Sequence, residues 1–140
     1  MGIDNIWVFA QTANGEATTG TLELLTKARG LGGTVTAFVV GAVGDSAGAL
    51  GDHGAAKVYE TGDLGGALPG VAGAAAMKAV IDGGDSPDLV MFPQNYEGRD
   101  VMSRLSVKLD RTVLTNSTDV SVDGDSVSVE TPIFLSLIHI

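Results

Sequence analysis

The chain reads as an α/β protein, a three-layer sandwich around a mainly parallel, Rossmann-like sheet. Two observations predict this. Ile6-Trp7-Val8-Phe9-Ala10 and Leu89-Val90-Met91-Phe92-Pro93 are short, nearly continuous apolar runs, the signature of strands covered on both faces. Strand and helix patterns then alternate four times before residue 113, as helices packed on both sides of a parallel sheet require. The expected central strands are Ile6–Ala10, Thr34–Val40 and Leu89–Pro93.

The first strand runs into a polar loop, Gln11 to Glu16, and Thr18 or Thr19 is placed to cap a helix reaching about Leu31. Leu22, Leu25 and Ala28 share one stripe of that helix, with Leu24 and Leu31 beside it. Each leucine buried there contributes about 1.5–3 kcal/mol. Gly30, Gly32 and Gly33 stop the helix, since glycine accepts the left-handed conformation that follows a helix end. After the strand Thr34–Val40 comes a short helix near Ser46 to Leu50, capped by Asp45 or Ser46, and then a weaker strand, Lys57 to Glu60.

Pro69 suits the first turn of an alanine-rich helix from about Gly70 to Asp82, ended by Gly83-Gly84. Following Leu89–Pro93, the helix Arg99 to Leu109 sets Val101, Leu105 and Leu109 at four-residue spacing, one buried stripe. Beyond Val113 the period changes. Val120 and Val122 alternate with polar residues, Asp123-Gly124 is a hairpin-type turn, and Val127 and Val129 alternate again. These strands are expected near the edge of the sheet.

At 140 residues the chain is one domain's worth, and 44% hydrophobic with 18% charged residues fits a globular protein. There is no cysteine, so disulfides, thiolate metal sites and cysteine nucleophiles are excluded. The formal net charge of -9 argues against nucleic acid as a partner, because phosphate neutralisation needs a basic surface. It fits an ordinary solubility surface, or one that steers a basic protein partner. No run is long and apolar enough for a membrane span, and no basic segment precedes the first strand. The expected setting is the cytoplasm of a prokaryote, with no direct membrane insertion.

His53 and His139 are the two histidines. With no second histidine near His53 and no cysteine, neither a metal site nor a Ser-His-Asp triad can be assembled. The glycines between 41 and 51 lack the Lys and Ser/Thr of a phosphate loop, and Gly30, Gly32 and Gly33 close a helix where a dinucleotide fingerprint would open one. Hydrolytic catalysis and nucleotide binding are therefore not supported by motif.

The most informative stretch is Asn95-Tyr96-Glu97-Gly98-Arg99-Asp100-Val101-Met102-Ser103-Arg104-Leu105, followed by Leu114-Thr115-Asn116-Ser117-Thr118-Asp119. It resembles the N-terminal domain of the electron transfer flavoprotein alpha subunit, whose members read roughly G-R-D-x-x-x-R-L-A-x-x-L and then T-D-x-T-D. Asn116 stands where that family has Asp. Thr21-Leu22-Glu23-Leu24-Leu25, Ala28-Arg29-Gly30-Leu31-Gly32 and Gly54-Ala55-Ala56-Lys57-Val58-Tyr59 match in the same order. Glu130-Thr131-Pro132-Ile133-Phe134 resembles the family's R-P-x-[FY]-G-G without its arginine or glycines. The resemblance covers residues 3–134 and implies the adenine nucleotide alpha hydrolase-like topology. Leu135-Ser136-Leu137-Ile138-His139-Ile140 is what the transposon end of common DNA-library adaptors encodes, so residues 135–140 are expected to be non-native and the natural gene to continue.

The resemblance implies part of a soluble electron carrier. In that family an alpha and a beta subunit form a heterodimer around one FAD, take electrons from dehydrogenases such as acyl-CoA dehydrogenases, and pass them to a quinone oxidoreductase or toward nitrogen fixation. The flavin site lies mostly in a C-terminal domain, and the AMP beside the FAD is held by the beta subunit. This chain is accordingly expected to be scaffold and subunit interface, with no catalytic residue, no metal and no FAD of its own. Gly98, Arg99, Asp100, Arg104, Thr118 and Asp119 are the interface or anion-site candidates.

For Gly98-Arg99-Asp100 two roles are open. Free N–H groups at a helix start hold anions, or Asp100 itself satisfies the helix dipole. Arg104 either pairs with Asp100 at i,i+4 or reaches a partner subunit. Thr115 to Asp119 either offers hydroxyls to a ligand or bonds its own turn. The alternative function is a stand-alone adenine-nucleotide-binding domain of the universal-stress-protein type. It needs G-x-x-G after the fourth strand, where only Gly98 is found.

Overall fold

In the computed structural model, residues 3–130 are described apart from 14, 63, 65–67, 94, 112, 115–118 and 124–125. The sheet is organised around β1 (Asn5–Ala10), whose six residues are almost all buried. On one side β1 pairs in parallel with β4 (Thr34–Val39), Ile6 opposite Val35. On the other it pairs in parallel with β6 (Leu89–Met91), Ile6 opposite Leu89. β5 (Lys57–Glu60) lies outside β4, giving the order β5-β4-β1-β6.

The parallel α/β architecture is as the apolar runs predict. The place of β6 differs: it ends the described sheet instead of lying in its middle, and it stops at Met91. Pro93 has no N–H to continue a ladder, so the chain leaves the sheet there.

Successive side chains of β1 point to opposite faces. Ile6, Val8 and Ala10 join Val35, Ala37 and Val39 under α1 (Thr19–Gly30) and α2 (Ala47–Asp52). Trp7 and Phe9 join Phe38 under α3 (Pro69–Asp82) and α4 (Tyr96–Leu109). α1 buries Thr21, Leu25 and Ala28, with Leu22 and Leu24 only half-buried, so its stripe is rotated from the leucine-centred one. Thr18 caps it by accepting the Thr21 N–H. Ser46 occupies the N-cap position of α2 without a side-chain cap bond: a 3-10 turn (Gly44–Ser46) precedes α2, and the Ser46 hydroxyl donates to the Val43 carbonyl. Pro69 opens α3 and Gly84, at φ +112°, follows its end.

Two hairpins complete the structure. β2 (Thr12–Ala13) and β3 (Glu16–Ala17) pair antiparallel with Ala13 opposite Glu16, where the sequence suggested a plain loop. Residues 14 and 15 are Asn-Gly and Gly15 has φ +81°. That dipeptide is the strongest short hairpin signal. β7 (Asp119–Asp123) and β8 (Ser126–Glu130) form the second hairpin, with Val122 opposite Val127. This is a separate two-stranded ribbon and not an edge of the main sheet. Its apolar side explains the difference: Val120 packs on the aliphatic core, and Lys27 of α1 holds Asp119 at 2.5 Å.

Candidate functional site

In open α/β sheets ligands gather beyond the carboxyl ends of the strands, where the strand order reverses. Here that point lies between β1 and β6, because the chain builds β4 and β5 to one side and then returns to the other. Gln11 follows β1 and Asn95 precedes α4, and the two side chains meet across the crevice, Asn95 Nδ2 donating to Gln11 Oε1 at 2.7 Å.

Both ends of this bridge are fixed by their neighbours. The Gln11 N–H donates to Thr21 Oγ1 at 2.8 Å, and the Thr18 hydroxyl donates to the same oxygen at 2.8 Å. Thr21 is fully buried, so its hydroxyl ties the end of β1 to the start of α1 out of water. Across the crevice Asn95 caps α4 by accepting the Gly98 N–H at 2.8 Å.

This cap moves the helix start. α4 begins at Tyr96, three residues before the expected Arg99, and its first-turn acid is Glu97. Gly98 therefore lies inside the helix and Asp100 in its second turn, so Gly98-Arg99-Asp100 is not a turn and Asp100 does not sit at the dipole's end. Glycine at 98 has a steric reason: a Cβ there would collide with the Pro93 carbonyl oxygen. With the Gly98 N–H already taken by Asn95, the anion-site role is not supported by this geometry.

Arg104 Nε donates to Asp100 Oδ1 at 2.7 Å, with both side chains nearly half exposed. Such a pair contributes well under about 1 kcal/mol. Arg99 is exposed and makes no ion pair among the described residues. Thr118 lies outside the described residues. Asp119 is far in role from the other candidates: the Lys27 ammonium, then the Val120 N–H, hold its carboxyl below the usual range.

Elsewhere on this edge, Thr61 Oγ1 accepts the Gly41 N–H and the Glu60 carboxylate accepts the Val43 N–H. His53 is tied to the Ala49 carbonyl at 2.8 Å. An open groove of about 610 Å³ runs along the outer face of α1, between Leu22, Lys27 and His53, away from the crevice. No cluster suited to a metal ion is found among the described residues.

The bridge residues Gln11, Asn95 and Thr21 were missed in the sequence. Asn95 was legible, because Asn just before an apolar-periodic run is a helix-start signal. Gln11 and Thr21 were not, since their pairing joins elements through the fold.

Residues 6–138 match the model of the electron transfer flavoprotein domain. The chain belongs to that family. It is 31% identical over 119 residues to the electron transfer flavoprotein subunit alpha of Syntrophomonas wolfei, covering 84% of this chain. It spans 38% of that relative's length.

The crevice at the strand switch is bridged by Gln11 and Asn95, and the helix-start N–H of Gly98 is satisfied internally. The one buried side-chain polar atom without a partner among the described residues, Trp7 Nε1, belongs to a ring packed among Phe38 and Tyr59.

Proposed function

We propose that the chain is the scaffold and subunit-contact part of an electron transfer flavoprotein alpha subunit. In this reading the complete protein joins a beta subunit, holds one FAD, accepts electrons from dehydrogenases such as acyl-CoA dehydrogenases and delivers them to a quinone oxidoreductase. Redox chemistry then belongs to the flavin, and the protein's part is to bind and orient it. The chain itself is an electron-carrier part and not a catalyst, working in the cytoplasm of a prokaryote.

The observation that carries the reading is the alpha-subunit match over 84% of the chain. The exposed interface candidates Arg99, Asp100 and Arg104 then serve subunit contact, while the buried Gly98 lets α4 pack against the Pro93 carbonyl. Expressing the full gene with its companion subunit tests this: the complex should carry near-stoichiometric flavin absorbance that an acyl-CoA dehydrogenase and its substrate bleach. The 140-residue chain alone should carry none. A colourless complex, or ATP binding by the chain alone, sinks the proposal, the latter in favour of the stress-protein alternative.

A further inference from the structure

The aromatic face of the sheet holds the chain's single tryptophan against one of its two tyrosines. Trp7 of β1 is fully buried, and the Tyr59 ring of β5 meets it edge-on, with centroids 6.0 Å apart. Phe38 of β4 touches both rings, at 5.3 Å and 5.6 Å. The two rings differ in what their polar atoms meet. The Trp7 indole N–H has no hydrogen-bond partner among the described residues. Tyr59 is half-buried, and its hydroxyl donates to Asp85 Oδ2.

Asp85 is placed to take that proton. Asn5 Nδ2 donates to its other oxygen, Oδ1, at 3.1 Å. Lys57 Nζ lies 3.3 Å from Oδ2 and 3.3 Å from the Tyr59 hydroxyl. Hydrogen bonds from Tyr59 first, then from Lys57 and Asn5, hold the carboxyl below its usual range. It is therefore ionised at neutral pH, and an ionised carboxylate is acceptor only.

These surroundings sort the two rings by redox chemistry. An indole yields an electron more readily than a phenol when neither loses a proton. A phenol that releases its proton becomes the easier of the two to oxidise. Trp7 has no acceptor for its proton, whereas Tyr59 has a carboxylate in contact. The Lys57 ammonium, 5.1 Å over the Tyr59 ring, opposes a positively charged phenol, so oxidation there must expel the proton. Phe9, Phe38 and Met77 of the same layer are harder to oxidise by one electron, and the chain has no cysteine to intercept the hole.

We propose that Trp7, Tyr59 and Asp85 form a relay that carries an oxidising hole from the buried aromatic layer to β5, an end strand of the described sheet. An oxygen-centred radical takes one electron from Trp7 and leaves the indole radical cation. Tyr59 gives one electron to Trp7 while its phenolic proton passes to Asp85 Oδ2. The oxidant is then reduced by one electron, Trp7 is restored, Tyr59 is a neutral radical and Asp85 a carboxylic acid. A thiol donates a hydrogen atom to the half-buried Tyr59, and Asp85 releases its proton to water. The relay does not rest on the subunit-contact reading.

Flash photo-ionisation of the full-length protein, followed by transient absorption, tests the relay. Trp7→Phe, measured in parallel, supplies the background of every other chromophore, and the difference is the Trp7 signal. In that signal the indole radical cation should decay as a tyrosyl radical rises, more slowly in heavy water than in light. Tyr59→Phe, which keeps the ring, should lengthen the life of the radical cation about tenfold or more. Asp85→Asn should slow the tyrosyl rise, and Tyr96→Phe, at a site 91% exposed on α4, should change nothing. Near-ultraviolet circular dichroism checks the packing of each variant. Should Asp85→Asn fail to fold, the heavy-water comparison tests the proton step without a substitution.

An indole radical cation that decays alike in wild type and Tyr59→Phe overturns the proposal, as does a tyrosyl signal that Tyr96→Phe removes. A tyrosyl radical that rises as fast in heavy water as in light shows that no proton moves with the electron, and the relay through Asp85 is wrong.

Discussion

On one face of the sheet Ile6, Val8, Val35, Val39, Leu25 and Leu50 meet as an aliphatic layer, closed by α1, the short α2 and Val120 of the second hairpin. On the other Trp7, Phe9 and Phe38 form an aromatic layer beneath Met77, Val101 and Leu105, with Tyr59 and Phe92 at its border. Ring centroids there lie 5.3 Å apart for Trp7–Phe38 and 5.6 Å for Phe9–Phe92. The helices differ to match. α1 is anchored by hydroxyls, Thr18 and Thr21, whereas α3 and α4 approach each other through glycine. A Cβ on Gly73 would crowd Val40 and Val101, and one on Gly70 would meet the Asp100 carboxylate. Large rings fill one side cheaply in number of residues, and glycines then let the two covering helices close over them.

The largest expected effect tests that division of labour. Trp7 is fully buried and touches both Phe38 and Tyr59. Trp7→Ala should cost about 3–5 kcal/mol, against about 2–5 for Leu25→Ala on the aliphatic face. Urea unfolding of both variants measures the gap. If Leu25→Ala proves the more damaging, the aromatic layer is not the stronger one, and its unpartnered indole N–H is the reason to look at next.

Gly98→Ala comes second. The alanine methyl would press on the Pro93 carbonyl oxygen, which is backbone and cannot swing away. Overpacking of this kind costs typically about 1–3 kcal/mol, more than the helix propensity gained. A neutral result in urea unfolding would return Gly98 to the pool of ligand-site glycines.

How much of this was legible varies with how local the cause is. β5 and α3 follow from the propensity and caps of their own residues, and the Val101–Leu105 stripe follows from its spacing. Gly98 was read as a turn because glycine near a helix start usually marks one; its true cause is a carbonyl five residues earlier, brought close by the chain's exit from the sheet. The half-burial of Leu22 in favour of Thr21 could not be read, because it depends on where Gln11 ends after β1. The Asn-Gly hairpin, by contrast, was local and available. Of the candidate site, the residues on α4 were found, but the start of the helix was placed three residues late.

At the amino end of the sheet a smaller effect is expected. Asp85 accepts from the Tyr59 hydroxyl, from Lys57 at 3.3 Å and from Asn5 Nδ2 at 3.1 Å, joining β5, β1 and the loop before β6. These partners, the Tyr59 hydroxyl foremost, lower its pKa. A carboxyl whose folded pKa is depressed stabilises fully above the ordinary carboxylate range, and that contribution is lost as pH falls through the lowered value. Asp85→Asn should therefore lower stability at neutral and alkaline pH, change little at strongly acid pH, and so flatten the acid limb of a stability-against-pH curve. Parallel acid limbs for variant and parent would assign acid sensitivity elsewhere, Asp119 being the next carboxyl with a lowered pKa.

The smallest effect tests how the aromatic face is closed. Gly70 and Gly98 both sit against a neighbour's oxygen, yet the oxygen at Gly70 belongs to the Asp100 side chain, which is 45% exposed and free to rotate. Gly70→Ala therefore displaces a carboxylate and breaks its exposed pair with Arg104, a loss under about 1 kcal/mol. Against this, alanine inside a helix gains about 0.8–1.0 kcal/mol over glycine. The two nearly cancel, so urea unfolding should place Gly70→Ala within about 0.5 kcal/mol of the parent. A loss above about 2 kcal/mol would show that α3 and α4 are locked backbone to backbone along their whole contact. In that case the glycines of α3, and not the rings beneath them, set how tightly the aromatic face is closed.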